Sequence, residues 1–171
     1  MHINPKVNDI VHKLLQRLRG FSLSSVGTQR CLQLLWKMAR DRNSARRAIA
    51  ECGGLPSVLK SLSLHSGDRG VVVSVCGLLS RLNKNSKIRD VMREYNPMDL
   101  LAVIGDTHDE DQEIQRLVCL SMSLCIEVAN DKNVTIKHSL DAGDRACKVI
   151  KASLDDAPTV EAAMACLCEV N

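Results

Sequence analysis

The sequence predicts an all-α protein built from stacked helices. Three observations lead to this prediction. Apolar residues recur at the spacing of one helix face, this pattern appears four times at nearly constant intervals, and glycine or proline separates the helical segments at matching places. At 171 residues the chain is long enough for a short array of repeats that share a continuous core.

The composition favours helices over a β-sandwich. Hydrophobic residues make up 45% of the chain and charged residues 25%, which is typical of a globular protein. The aromatic residues are Phe21, Trp36 and Tyr95 alone. The core must therefore consist of Leu, Val, Ile, Ala, Met and Cys, a set that suits closely packed helices better than aromatic-rich strands.

The longest helix of each repeat carries residues at offsets 0, 3, 4 and 7, which place them on one helix face. All of them are apolar except Ser121, so the pattern is weaker in the third unit. The first copy lies in "CLQLLWKM", and its counterparts begin at positions 75, 118 and 163, so that successive copies are 44, 43 and 45 residues apart. Such regular spacing indicates duplication. The four sets are Cys31, Leu34, Leu35 and Met38; Val75, Leu78, Leu79 and Leu82; Val118, Ser121, Met122 and Cys125; and Ala163, Cys166, Leu167 and Val170.

Two shorter helices are expected before each long one. In "ARRAIAECGGLPSVLKSL" we expect Gly53 or Gly54 to end the first helix with left-handed backbone, and Pro56 to lie in the first turn of the second. We expect the same arrangement around "EYNPMD", and in the last repeat a short helix that ends before Gly143. The predicted units are approximately 1–41, 42–85, 86–130 and 131–171, in one domain, and the first unit lacks its short helix.

Polar stretches separate the second helix of each unit from the third. They read "HSGDRG", "GDTHDEDQ" and "LDDAP". Their acidic residues are suited to helix starts, where the backbone N–H groups have no partner within the helix.

Three helices in about 43 residues, with glycine after the first, resemble the armadillo repeat. The closest stretch is "ARRAIAECGGLPSVLKSLSLHSGDRGVVVSVCGLLSRL", and weaker copies extend the resemblance over nearly the whole chain. HEAT repeats share the length but usually lack the short first helix and its glycine. The resemblance implies a right-handed superhelix whose long helices line a concave groove that binds extended peptides or other proteins.

Armadillo proteins of the importin-α type hold basic peptides with a ladder of Trp and Asn on the third helix. That ladder is absent here. The corresponding positions in the four units are occupied by Gln33 and Lys37, Gly77 and Arg81, Leu120 and Leu124, and Ala165 and Glu169. Trp36 lies one position off the ladder and is interpreted as a partly buried packing residue.

The expected groove of the first two units is cationic. Its candidate partner-binding residues are Arg30, Gln33, Lys37 and Arg81, with Lys84 at the rim. A basic groove is similar to that of β-catenin-like members, which receive acidic extended partners. A solvated basic face without a ligand is the alternative interpretation.

The long helix of the third unit is apolar on two faces. Leu117, Leu120 and Leu124 form one row, and Val118, Met122 and Cys125 form the other. Spacing slightly favours the second row as the core but leaves the question open. The remaining row either packs on a neighbouring helix or is an exposed patch that a partner covers.

Charge is divided unevenly along the chain. Residues 1–85 contain 14 Lys and Arg against 4 Asp and Glu, whereas residues 86–171 contain 9 against 16. This asymmetry favours charged partners. An RNA-associated helical repeat protein is therefore the alternative function, based on Arg40, Arg42, Arg46 and Arg47. The acidic C-terminal half and the scarcity of stacking aromatics argue against it.

Other classes lack their signatures in the sequence. No phosphate-binding glycine loop, GxSxG or HExxH occurs, so we expect neither an enzyme nor a cofactor. The eight cysteines form no CxxC, and we interpret them as reduced core residues without a metal. No apolar run is long enough to span a bilayer, so we expect no membrane insertion.

The chain is therefore expected to act as a non-catalytic scaffold or adaptor that binds partner proteins or acidic extended peptides. We expect it in the cytoplasm, with a cytoskeletal or ciliary assembly as the family expectation. The basic stretch "VHKLLQRLRGFSLSS" also fits a mitochondrial address, which we rank below the cytoplasm. No capping helix follows Val170, so we expect either a piece of a longer solenoid or an exposed end that docks against another chain, with self-association through uncapped ends as one form of such docking.

Overall fold

The protein is all-helical, as predicted. The computed structural model describes residues 5–20, 24–82, 86–95, 97–129, 136–152 and 155–170, and these form ten α-helices and no strand. The helices are α1 Pro5–Gly20, α2 Ser25–Asp41, α3 Asn43–Glu51, α4 Gly54–Leu64, α5 Arg69–Leu82, α6 Ser86–Tyr95, α7 Met98–Thr107, α8 Gln112–Ala129, α9 Ile136–Ala152 and α10 Ala157–Val170.

The chain folds as two compact units, Met1–Val91 and Met92–Asn171, whose boundary lies within α6. In the first unit α1 packs against α2, α3 and α4, and α2 packs along α5. In the second unit α8 packs against α7, α9 and α10, and α9 also contacts α7 and α10. Each unit thus contains a pair of long helices in contact, α2 with α5 and α8 with α10.

Helices α2 and α5 run side by side in the same direction. The side chain of Gln29 lies against the backbone of Gly70, and the ring of Trp36 lies against that of Gly77, so that both pairs of contacting residues are 41 positions apart. Glycine at both positions leaves room for these side chains, because any Cβ there would overlap them. The shared offset shows that the two helices keep one register over two turns.

The buried face of α2 differs from the predicted one. Leu34 is 51% exposed and Met38 is half-buried, although both were expected in the core. With about 100° of rotation per residue, the buried side chains span roughly a 100° arc, and Leu34 falls about 60° outside it. The predicted offsets correctly placed Cys31 and Leu35 in the core, but they centred the buried face of α2 too close to Leu34 and Met38. The buried residues are Thr28, Cys31, Leu32, Leu35 and Ala39.

The corner between α3 and α4 uses both of its glycines. Gly53 has φ 61° and ψ 40°, the left-handed conformation that was expected for one of the pair. At Gly54 an added Cβ would come within 2.8 Å of Ile49 Cγ2 and 2.9 Å of the Ile49 carbonyl oxygen. Pro56 lies in the first turn of α4, where its missing N–H costs nothing. One glycine therefore supplies the turn and the other supplies close packing.

Aspartates cap the long helices, as the polar stretches predicted. Asp68 Oδ1 accepts hydrogen bonds from the backbone N–H groups of Gly70 and Val71 at 2.9 and 3.1 Å. Asp111 Oδ1 accepts one from Ile114 N–H at 3.1 Å. These carboxylates satisfy N–H groups that have no partner inside the helix.

In the second unit α9 is a single helix. The break expected before Gly143 is absent, because α9 continues from Ile136 to Ala152 without a left-handed residue. The prediction of two helices there was wrong, since glycine inside a helix costs only about 1 kcal/mol relative to alanine and did not need to end it. Asn96, at the expected corner in the third unit, lies outside the described residues.

Arg145 of α9 holds α7 in place. Its Nη2 donates to the Ala102 carbonyl oxygen at 2.9 Å and pairs with Asp106 Oδ1 at 2.5 Å. The guanidinium lies directly over the backbone of Gly105, where a Cβ would overlap it. A cation near the C-terminus of α7 also interacts favourably with the helix dipole.

The core row of α8, which the spacing left open, is now determined. Val118, Ser121, Met122 and Cys125 are all buried. Leu117 is buried as well, at 4% exposure, whereas Leu120 and Leu124 are half-buried. The helix is therefore covered over more than one face, because α7, α9 and α10 all pack against it.

The eight cysteines form no disulfide. Five of them are buried, as expected of core residues, whereas Cys52 is half-buried and Cys147 and Cys168 are exposed. Burial raises the pKa of Cys119 in α8 to about 11. Among the described residues, no helix combines the length and the apolar character that crossing a bilayer requires.

Candidate functional site: a cationic face on helices α2 and α5

The outward side of α2 carries polar and cationic side chains. Arg30, Gln33, Lys37 and Arg40 are all exposed. At about 100° per residue they fall within roughly 80° of one another, opposite the buried arc of the helix. Together with Arg81 of α5 we call these residues the cationic face.

Arg81 belongs to this face because of the register between the two helices. It lies one turn beyond Gly77, on the stripe of α5 that faces α2, and its side chain is exposed. The 41-residue offset that pairs Trp36 with Gly77 also pairs Arg40 with Arg81. Both arginines therefore lie at the same level, near the C-terminal ends of their helices.

A cleft of about 310 Å³ opens within the cationic face. Gln33, Trp36, Lys37 and Arg40 line it. The indole of Trp36 is half-buried and forms the wall nearest α5, because it lies against the backbone of Gly77. Its Nε1–H is buried and has no acceptor among the described residues. A buried donor without a partner is uncommon in folded proteins.

The charge of Arg40 is partly balanced by its neighbour. Arg40 Nε donates to Asp41 Oδ1 at 2.9 Å, and both side chains are exposed. This hydrogen bond lowers the pKa of Asp41, and Lys37 and Arg42 contribute in the same direction through their charge. Asp41 does not line the cleft, and among the described residues its walls present cationic groups and the amide of Gln33 without a carboxylate.

In the basic cluster at the junction of α2 and α3, one arginine forms hydrogen bonds with the backbone. Arg46 Nη1 donates to the carbonyl oxygens of Ala39 and Arg40 at 2.5 and 3.5 Å. It thereby satisfies carbonyl groups at the end of α2. Arg46 is thus engaged in the structure and is not a free cation for phosphate groups.

The structure brings together part of the predicted site. Arg30, Gln33, Lys37 and Arg81 lie on one exposed face, whereas Lys84 lies outside the described residues. Leu117 is buried and so offers no surface to a partner, which corrects its assignment as a contact residue. Leu120 and Leu124 are half-buried on α8 in the second unit.

Sequence reasoning missed Arg40 as a member of this face and Trp36 as a wall of its cleft. Trp36 was treated as a packing residue, and it does pack, but one side of it also forms the cleft wall. The sequence signal that could have indicated this contact is the 41-residue spacing shared by two pairs, Gln29 with Gly70 and Trp36 with Gly77. A large side chain matched to a glycine suggests close approach of two helices.

A second cavity, of about 580 Å³, lies in the second unit between the α7–α8 connection and α9. Its lining includes acidic residues of that connection together with Arg145 and Lys148, so the two signs of charge offset each other. Among the described residues no group of three His, Cys, Asp or Glu side chains is arranged to hold a metal ion.

Comparison with known proteins leaves the family open. A scan against protein-family models finds no match, and a search of the curated proteins finds no significant similarity.

Proposed function

We propose that this chain is a non-catalytic interaction module of the armadillo type, which binds an acidic, extended segment of a partner protein along the cationic face. The observation that carries the proposal is the clustering of exposed cations on two helices in register, with a cleft among them. Positive side chains on one face attract a negatively charged partner and raise its rate of encounter.

The armadillo arrangement is itself part of the proposal. It is supported by the parallel register of α2 and α5 and by the contact between α8 and α10 in the second unit. It is also supported by the left-handed Gly53 between a short helix and the next one. In repeat proteins of this kind each long helix stacks on its counterpart in the next repeat.

The charge of the first unit favours an acidic partner. Residues 1–91 contain 16 Lys and Arg and 5 Asp and Glu, so this unit carries a formal charge of +11. RNA is the second candidate partner. It is the weaker candidate, because Arg46 already donates a hydrogen bond to a carbonyl oxygen at the end of α2. A cytoplasmic location accompanies the proposal, because cysteines that form no disulfide are typical of reducing compartments.

The test is binding of a fluorescein-labelled ten-residue glutamate peptide, measured by fluorescence anisotropy. We expect Lys37→Glu/Arg81→Glu to weaken binding about tenfold or more, because exposed ion pairs contribute about 0.2–1 kcal/mol each and charge reversal adds repulsion. Affinity should also fall with added salt.

The matched control is Lys13→Glu/Lys60→Glu, which changes the net charge equally at exposed positions on α1 and α4. Equal weakening by both double variants would show that only the overall charge matters, and would contradict the proposed face. Tighter binding of a single-stranded RNA of equal charge at the same salt concentration would favour the second candidate.

A further inference from the structure

The cleft in the cationic face has the size and chemistry of a pocket for one side chain. Its volume of about 310 Å³ is at the lower end of the range for ligand pockets. The lining side chains offer the N–H groups of Lys37 and Arg40 and the amide of Gln33, while the ring of Trp36 forms an apolar wall. A group that accepts several hydrogen bonds and carries negative charge is complementary to these walls.

Gly77 lets the indole of Trp36 lie close against α5. A Cβ at this position would lie 2.6 to 3.0 Å from Trp36 Cε2, Cζ2 and Cδ2. These are atoms of a rigid ring, which must move as a whole. With glycine the indole rests on the backbone of α5, whereas a methyl group there would push it toward the cleft.

We propose that this cleft is an anchoring pocket for a single carboxylate side chain, Glu or Asp, of the bound segment, and that the contact between Trp36 and Gly77 sets its depth. The inference rests on the proposed function, which concerns the cationic face as a whole. It adds that one acidic residue of the partner is held locally, in contrast to a diffuse attraction between charged surfaces.

The first test is an exposed substitution that leaves the packing unchanged. Gln33→Glu places a negative charge in the wall of the cleft, and Gln16→Glu makes the same change at an exposed position on α1. We expect Gln33→Glu to weaken binding of the ten-residue glutamate peptide about fivefold to tenfold, because it removes an amide donor and adds a like charge, and solvent screening limits the repulsion at this exposed position. Gln16→Glu should change affinity less than about twofold.

Trp36 supplies a second, independent measurement because it is the single tryptophan of the chain. If a carboxylate enters the cleft, the glutamate peptide should change the emission of Trp36, whereas an uncharged glycine–serine peptide of equal length should not. Binding detected by anisotropy without any change in emission would overturn the pocket and leave the cationic face intact.

Gly77→Ala tests the depth of the cleft without any change of charge. We expect it to weaken peptide binding about threefold or more while the helical circular dichroism signal is retained. The double variant Gly77→Ala/Trp36→Leu removes the ring that the methyl group displaces and should recover part of the affinity. If Gly77→Ala is well folded and binds like wild type while Lys37→Glu/Arg81→Glu is impaired, the pocket is refuted and the proposed function survives. If neither variant affects binding, the proposed function fails too.

Discussion

The two glycines between α3 and α4 offer a sharp test of how this corner is built. Gly53 has left-handed backbone, which costs an L-residue about 1–2 kcal/mol. Gly54 has ordinary helical backbone, but its hydrogen faces the Ile49 carbonyl oxygen, which belongs to the main chain and cannot rotate away. Gly67, in the turn after α4, serves as the control, because its φ is not positive and a Cβ added there would have no atom within 4 Å.

Replacement of each glycine by alanine also restricts the unfolded chain, which stabilises the protein by about 0.4–1 kcal/mol. Overpacking at Gly54 costs about 1–3 kcal/mol. We therefore expect Gly54→Ala to destabilise by about 1–2 kcal/mol and Gly53→Ala by about 0.5–1 kcal/mol after this offset. Gly67→Ala should be neutral or slightly stabilising, because its Cβ enters open space.

The assay is urea unfolding followed by the fluorescence of Trp36, which lies in the first compact unit together with all three glycines. A loss of about 1.5 kcal/mol moves the midpoint by about 0.5–1.5 M urea for typical slopes. Gly53→Asn should be less costly than Gly53→Ala, because asparagine tolerates left-handed backbone. Midpoints for Gly53→Ala and Gly54→Ala equal to that of Gly67→Ala would refute this account of the corner.

Three further predictions concern the second unit. Because burial raises the pKa of Cys119 to about 11 from its ordinary 9.0, its contribution to stability is complete below pH 9 and falls as the pH rises toward 11. Wild type should therefore lose about 2 kcal/mol relative to Cys119→Ala between about pH 8 and pH 10.5 in urea unfolding, and parallel pH profiles would contradict this. Cys147 and Cys168 are exposed, so iodoacetamide should label them in the native protein before Cys119, as mass spectrometry can show. Arg145→Met should destabilise the unit by about 1–2 kcal/mol in thermal unfolding, whereas loss of the 73% exposed Asp106 carboxylate should cost less than about 0.5 kcal/mol.

The sequence was most informative where a residue type has one common structural use. Glycine beside proline predicted the corner at Gly53 and Pro56, and aspartate before a helix predicted the caps at Asp68 and Asp111. Gly143 shows the limit of this reasoning. Glycine is permissive and does not require a turn, and α9 continues through it.

The candidate site was predictable only in part, for a similar reason. Periodicity identifies which residues share a helix face, but it does not specify against which side of the helix the other helices pack. Thus Arg30, Gln33 and Lys37 were correctly grouped, while Leu117 was assigned to a surface and is buried. Whether a side chain is exposed depends on the packing of several helices, which no single segment encodes.

The amino-acid sequence alone determined that this chain is all-helical, where most helices begin and end, and that positive charge is concentrated in its first half. These properties depend on local backbone preferences and on composition. The tertiary structure decided that Trp36 lies against Gly77, that Arg40 and Arg81 lie level with each other, and that a cleft remains between the cations. These features arise from the register of two helices 41 residues apart, because only close packing brings such distant positions into contact.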